Sequence, residues 1–232
     1  MQLNQEPEWI DAQVFVACIF QFKITIIKNG NRGVNVHYYT NNKDAKSDEK
    51  EFNDTLKGHE MKFKTDVGVF SKKNIDFGSR LLIETFTPPS LLGNILDVGC
   101  GYGPIGLSLA KAYPDREIHL IDVNLRALAL AEKNAQLNRL ANVSIYESFS
   151  YEGVNGEFAA ILSNPPIRAG KKIVHEIMTK AVDFLPLNGE LWVVIQKKQG
   201  SPSAKEKMLA VFGNCEVMAK RKGYFILKSK KL

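Results

Sequence analysis

From residue 94 to the C-terminus, short apolar runs alternate with longer segments whose apolar positions recur every three or four residues. The runs are NILDVG (94–99), EIHLIDV (117–123), NVSIYE (142–147), FAAILSN (158–164) and ELWVVIQ (190–196). Between them lie GPIGLSLAKAY, LRALALAEKNAQLNRL, KKIVHEIMTKAVDFL and SPSAKEKMLAVF. Near-continuous apolar runs separated by helical patterns predict parallel strands covered on both faces and joined by crossover helices. CEVMAK (214–219) and YFILKSK (224–230) are too close together for a crossover and predict an antiparallel hairpin around Gly223. The expected fold is α/β: a doubly wound, seven-stranded, mostly parallel sheet with an antiparallel C-terminal hairpin.

Upstream the pattern is less regular. SDEKEFNDTLKG predicts a short helix opening at Ser47 and stopping near Gly58. HEMKFKTDVGVFS alternates like a strand until Asp66 and Gly68, and SRLLIETF predicts a helix closed by Pro88 and Pro89. Residues 1–34 read as an extension without assigned chemistry, with strands around Asn29-Gly30, ahead of one domain over 35–232. VFVACIF (14–20) is too short for a membrane span, and the acids ahead of it oppose a signal peptide.

Composition adds modest constraints. With 44% hydrophobic and 24% charged residues, the 232-residue chain fits one soluble domain with a substantial core. The net charge of +6 clusters in FSKKN, IRAGKK, QKK, AKRKG and KSKKL, which suits a phosphate-bearing partner such as RNA and equally a merely basic surface. Cys18, Cys100 and Cys215 form no disulfide framework or C-x-x-C pair, and the four histidines are scattered, so no metal site and a reducing cytoplasm are expected.

Two motifs carry chemistry. LDVGCGYGPIGLSLA (96–110) contains G-x-G-x-x-G at Gly101, Gly103 and Gly106, the spacing of a dinucleotide loop. Asp97, however, precedes that loop at the strand end, where a carboxylate repels a pyrophosphate and favours an ammonium or sulfonium. Asp122 ends the next strand, about twenty residues on, where an acid accepts hydrogen bonds from ribose hydroxyls. Together these features point to S-adenosylmethionine. The second motif, LSNPPIRAGK (162–171), lies at the carboxyl end of a parallel strand, where open sheets place ligands. Pro165 and Pro166 remove N–H donors and hold the backbone extended, leaving the Asn164 amide and a main-chain carbonyl to accept from an exocyclic amine. The same tripeptide can also be a rigid turn that ends a strand.

LDVGCGYGPIG with IDVN resembles motif I and the following acid of class I S-adenosylmethionine-dependent methyltransferases, whose Rossmann-like seven-stranded fold agrees with the strands above. The resemblance implies cofactor contacts from Asp97, Gly99, Gly101, Gly103, Asp122, Val123 and Ser148, the last where an acid often meets the adenine amine. Asn164, Pro165 and Pro166 resemble the catalytic motif of amino-methyltransferases, in which an aromatic residue commonly occupies the position of Ile167. NPPIRAGKK with GHEMKFKTDVGVFSKKNIDFGSRLLIE resembles the small-subunit ribosomal RNA guanine-N2 methyltransferases over roughly 37–230. That likeness implies methylation of a guanine 2-amino group in 16S-type RNA, with ribosomal RNA or the small subunit as partner. FSKKNIDFGS is then a flap near the cofactor carrying Phe70, Ser71, Asp76 and Ser79. Phe70 and Ser71, with Ile167, Arg168 and Lys171, are the implied substrate contacts; Phe70 or Phe77 is a candidate stacking surface. The alternatives are an amino-methyltransferase acting on adenine or a protein glutamine, and a non-catalytic RNA-binding or assembly domain.

Overall fold

The computed structural model describes residues 48–66, 74–167 and 170–232. The extension over 1–34 and its hairpin around Asn29-Gly30 lie outside the described residues. Seven strands form the main sheet: β3 (Ile95–Val98), β4 (Ile118–Asp122), β5 (Val143–Glu147), β6 (Ala160–Ser163), β7 (Glu190–Gln196), β8 (Glu216–Arg221) and β9 (Tyr224–Lys230). Their order is β5-β4-β3-β6-β7-β9-β8, parallel from β5 through β7 and antiparallel at β9 and β8. The expected sheet and its C-terminal hairpin are therefore present.

Strand alternation divides the core. Ile95, Leu120, Leu162 and Trp192 face one side, packed with α1 (Phe77–Thr85), α2 (Pro104–Ala112) and α3 (Leu125–Leu137). Leu96, Ile161 and Val193 face α4 (Lys171–Lys180) and α5 (Ser201–Phe212) on the other. β3 and β6 are buried at every position, including the polar Asp97 and Ser163, as strands covered on both faces are. The order reverses beside β3, since β3 neighbours both β4 and β6. That switch point opens the crevice at the carboxyl edge.

The helix expected over Ser47–Gly58 is instead a strand. β1 (Lys50–Leu56) pairs antiparallel with β2 (His59–Thr65) in a separate two-stranded sheet. Its polar composition suggested a helix, but Phe52, Asp54 and Leu56 alternate inward while Glu51, Asn53 and Thr55 are exposed. Lys57-Gly58, with φ of 48° and 79°, closes the hairpin as a two-residue turn with both φ positive. Lys57 also donates from Nζ to Ile83 O and Phe86 O, carbonyls at the C-terminal end of α1. The other edge of β2 meets α3: Asn134 accepts from Lys64 N–H and donates to Lys64 O, and Asn138 does the same at Lys62.

Candidate functional site

The cofactor motif folds where β3 enters α2. Asp97 lies on the α2 face of β3 and is fully buried. Its Oδ2 accepts from Gly106 N at 2.8 Å, while Oδ1 is buried without a hydrogen-bond partner among the described residues. Burial, reinforced by the Asp122 charge, pushes the Asp97 carboxyl up to about 7. An orphaned carboxylate oxygen is costly to bury unless a donor or cation completes it. This loop can therefore accommodate the positive end of S-adenosylmethionine.

Asp122 is the second anchor. Its Oδ2 accepts from Gly101 N and its Oδ1 from Asn124 N, both at 2.9 Å. Burial raises its pKa, while backbone hydrogen bonds from Asn124, Gly101 and Val123 pull it back. Those bonds orient the carboxylate and leave further lone pairs for ribose hydroxyls. Asp122 thus positions the glycine loop by holding Gly101 N.

The glycines have different jobs. A Cβ on Gly106 would stand 2.6 Å from Leu120, and one on Gly103 would stand 2.7 Å from Leu107. These two seat α2 against the loop and β4, whereas Gly101 (φ 58°) faces open space. At Gly99 (φ 75°) a Cβ would be 3.8 Å from Pro166 Cδ, so the glycine loop and the Asn-Pro-Pro motif lie side by side. Ser163 strengthens that junction by donating from Oγ to Val98 O at 2.8 Å.

Ser148 is buried after β5; its N–H donates to Asp122 O, and its hydroxyl contacts Ser150 O and Glu152 O. Its proton is thus committed to its own loop. Ser150 has φ of 53° and a buried Oγ without a partner among the described residues, a second unfilled polar position on this loop. Phe70, Ser71 and Arg168 lie outside the described residues.

On the acceptor side, Asn164 Nδ2 donates to Ser79 Oγ at 2.9 Å and Asp76 Oδ1 at 3.3 Å. A carboxylate only accepts, so the NH2 end must face it and Oδ1 is left as the acceptor for another group. Asp76 simultaneously caps α1 by accepting from Ser79 N. The helix expected from Ser79 thus starts two residues earlier, at Phe77, and the same cap residue contacts a motif more than eighty residues away. Pro165 is buried and Pro166 half-buried. Ile167 and Lys171 instead line a cavity of about 190 Å³ between α4 and α5, with His175, Gln199 and Ser203 among its polar walls. Phe77 packs against Tyr224, with ring centroids 5.5 Å apart.

The family model for the methyltransferase small domain matches residues 60–228. The uncharacterized protein YbxB of Bacillus subtilis is 53% identical over 198 residues, covering 84% of this chain and 98% of that protein. Ribosomal RNA small subunit methyltransferase C of Vibrio cholerae is 30% identical over 75% of this chain and 51% of its own length. Among solved structures, a T. thermophilus 16S rRNA guanine-N2 methyltransferase in complex with AdoMet and guanosine matches with a TM-score of 0.70. It is 24% identical, and the match covers 79% of this chain and 51% of that one. The chain thus spans about half the length of the relatives named for ribosomal RNA methylation.

Proposed function

Because the chain belongs to the methyltransferase small-domain family, we propose that it transfers a methyl group from S-adenosylmethionine to the exocyclic 2-amino group of a guanine in small-subunit ribosomal RNA. The observation that carries the acceptor assignment is the orientation of Asn164. With Nδ2 held by Ser79 and Asp76, Oδ1 is the end available to accept an amine N–H. The relatives' names support ribosomal RNA as the substrate class and guanine N2 as the atom.

S-adenosylmethionine supplies, when bound, a methyl group on a sulfonium centre. Asp97 would balance its positive end with the unpaired Oδ1, Gly99 and Gly101 would allow close backbone approach, and Asp122 would accept from the ribose. Val123, Ser148 and Ser150 border the adenosine side in this assignment. Asn164 Oδ1, with a main-chain carbonyl of the Asn-Pro-Pro run, would hold the amine so that its lone pair faces the methyl. Positioning is then the main contribution to rate. Pro165 and Pro166 keep that backbone extended, and the nearness of Pro166 to Gly99 would keep the two substrates' subsites adjacent.

The test compares ribosomal RNA nucleosides by mass spectrometry from wild-type and deletion strains, with the modified position mapped. Loss of N2-methylguanosine at one small-subunit position, restored by the wild-type gene and not by Asn164→Ala, is expected. Unchanged N2-methylguanosine would overturn the guanine assignment; loss of a methylated adenine or protein glutamine would move the acceptor accordingly.

A further inference from the structure

We propose that the β8–β9 turn, together with the 3-10 turn after β7, forms a track for the phosphodiester backbone of the RNA strand that enters the acceptor site. This rests on the RNA-methylation reading and assigns it a surface. The turn is Lys222-Gly223, closed by the Arg221–Tyr224 pair, with φ of 47° and 77°. Asparagine or glycine is favoured at the first of these positions, and a lysine there is locally strained. The β1–β2 hairpin makes the same Lys-Gly turn, but there Lys57 bonds two carbonyls of the α1 end. Lys222 instead lies over the Phe77 ring, 4.9 Å from its centroid. Identical turns thus present one lysine inward to the fold and the other at an exposed rim.

That rim borders the acceptor site. Phe77 directly follows Asp76, whose carboxylate accepts from Asn164. Lys197 N donates to Gly223 O at 2.7 Å, joining the 3-10 turn Lys197–Gln199 to the hairpin tip. Lys197, Lys198, Lys220, Arg221 and Lys222 are all exposed, and neither segment contains an acid. Among the described residues these five have no carboxylate within ion-pair distance, whereas Lys133, Lys180, Lys228 and Arg80 do. Lys220 rests on Phe225 at 5.3 Å, much as Lys222 rests on Phe77. Cations supported on rings lose less freedom when they bind a phosphate than freely moving ones. Unpaired, partly pre-organised charge on the rim of an amine-positioning site matches a nucleic-acid backbone, which makes position-setting contacts of this kind.

The experiment uses the full chain carrying K220Q/R221Q/K222Q, with K197Q/K198Q as a second variant. Binding to small-subunit RNA is measured across a potassium chloride series, alongside AdoMet affinity, thermal midpoint and methyl transfer at saturating RNA. The triple variant should lose at least tenfold in RNA affinity at 100 mM salt, and its log–log salt slope should shrink by about two. AdoMet affinity and the thermal midpoint should stay at wild-type values, and the double variant should weaken RNA binding in the same direction. Equal RNA affinity and slope in wild type and both variants would overturn the track, even if guanine methylation proceeds. A track lost in the variants but with no guanine methylation by the wild type would retain the surface and remove the reaction assignment. Tighter binding of poly-glutamate than of RNA at matched charge would assign the rim to an acidic protein and overturn the proposal.

Discussion

Replacing Asp97 by Asn should change how the cofactor-free protein responds to pH. Burial raises this carboxyl from an ordinary 3.8 to about 7. Below about pH 4 it is protonated in folded and unfolded chains alike, and its contribution to stability is fully present. Between about 4 and 7 the unfolded chain releases the proton while the folded one retains it, so rising pH favours unfolding. Above 7 the loss is complete, because the folded state holds a charge it cannot solvate. The displacement of roughly three pKa units corresponds to about 4 kcal/mol across the window, at 1.36 kcal/mol per unit. Asparagine can keep the acceptor for Gly106 N and removes the titration. Urea unfolding of both proteins at pH 5 and pH 8, without cofactor, isolates this group from every other titrating side chain. Stability of Asp97→Asn relative to wild type should rise by about 2–3 kcal/mol between those pH values, roughly 1 M in urea midpoint. AdoMet affinity of the same variant, measured calorimetrically, should fall. An identical pH dependence in the two proteins would refute the buried charge, and unchanged AdoMet affinity would refute its proposed partner.

Three further perturbations separate the parts of the site. Asn164→Ala should lower turnover about 100-fold or more while changing AdoMet affinity only slightly, because its contacts lie on the amine side; parallel losses in turnover and calorimetric affinity would contradict that. Gly106→Ala should destabilise by about 1–3 kcal/mol in denaturant titrations, since its Cβ would meet Leu120 at 2.6 Å, whereas wild-type stability would show that α2 can shift. Asn134→Ala leaves Lys64 N–H and O and Tyr102 O without their side-chain partner, and should cost about 2–4 kcal/mol in the same titration.

Residues 94–230 were readable because the parallel strands are short, mainly apolar runs and the helices between them carry their own period. The region before them was not. Lys50–Leu56 is polar enough to look helical, and its strand identity comes from a partner strand and a Lys-Gly turn rather than from apolar content. In the candidate site, the placement of Asp97, Asp122 and Asn164 near strand ends was legible because the apolar runs that end there are. The separate duties of the glycines were not, since Gly103 and Gly106 answer to Leu107 and Leu120 across the fold. Nor could local sequence tell that Ser79 would hold the Asn164 amide, or that Lys57 and Lys222, each before a glycine in a two-residue turn, would have opposite uses.

The asparagine pair on α3 acts as a ruler. Asn134 and Asn138 are separated by about 6 Å along a helix, while Lys64 and Lys62 are separated by about 6.6 Å along a strand. The two pitches agree closely enough for one step, so both amides can clasp successive peptide groups of β2. A longer ladder would drift out of phase, and beyond it the contact passes to the long arm of Arg126, which reaches Asp66. Sliding the hairpin by one residue would misalign both clasps at once, so the match sets its position along the helix. The same helix begins at Asn124, beside Asp122, and Asn134 also holds the Tyr102 carbonyl of the glycine loop. Position measured at one end of α3 is thereby transmitted, along a stiff rod, to Asp122 and the glycine loop.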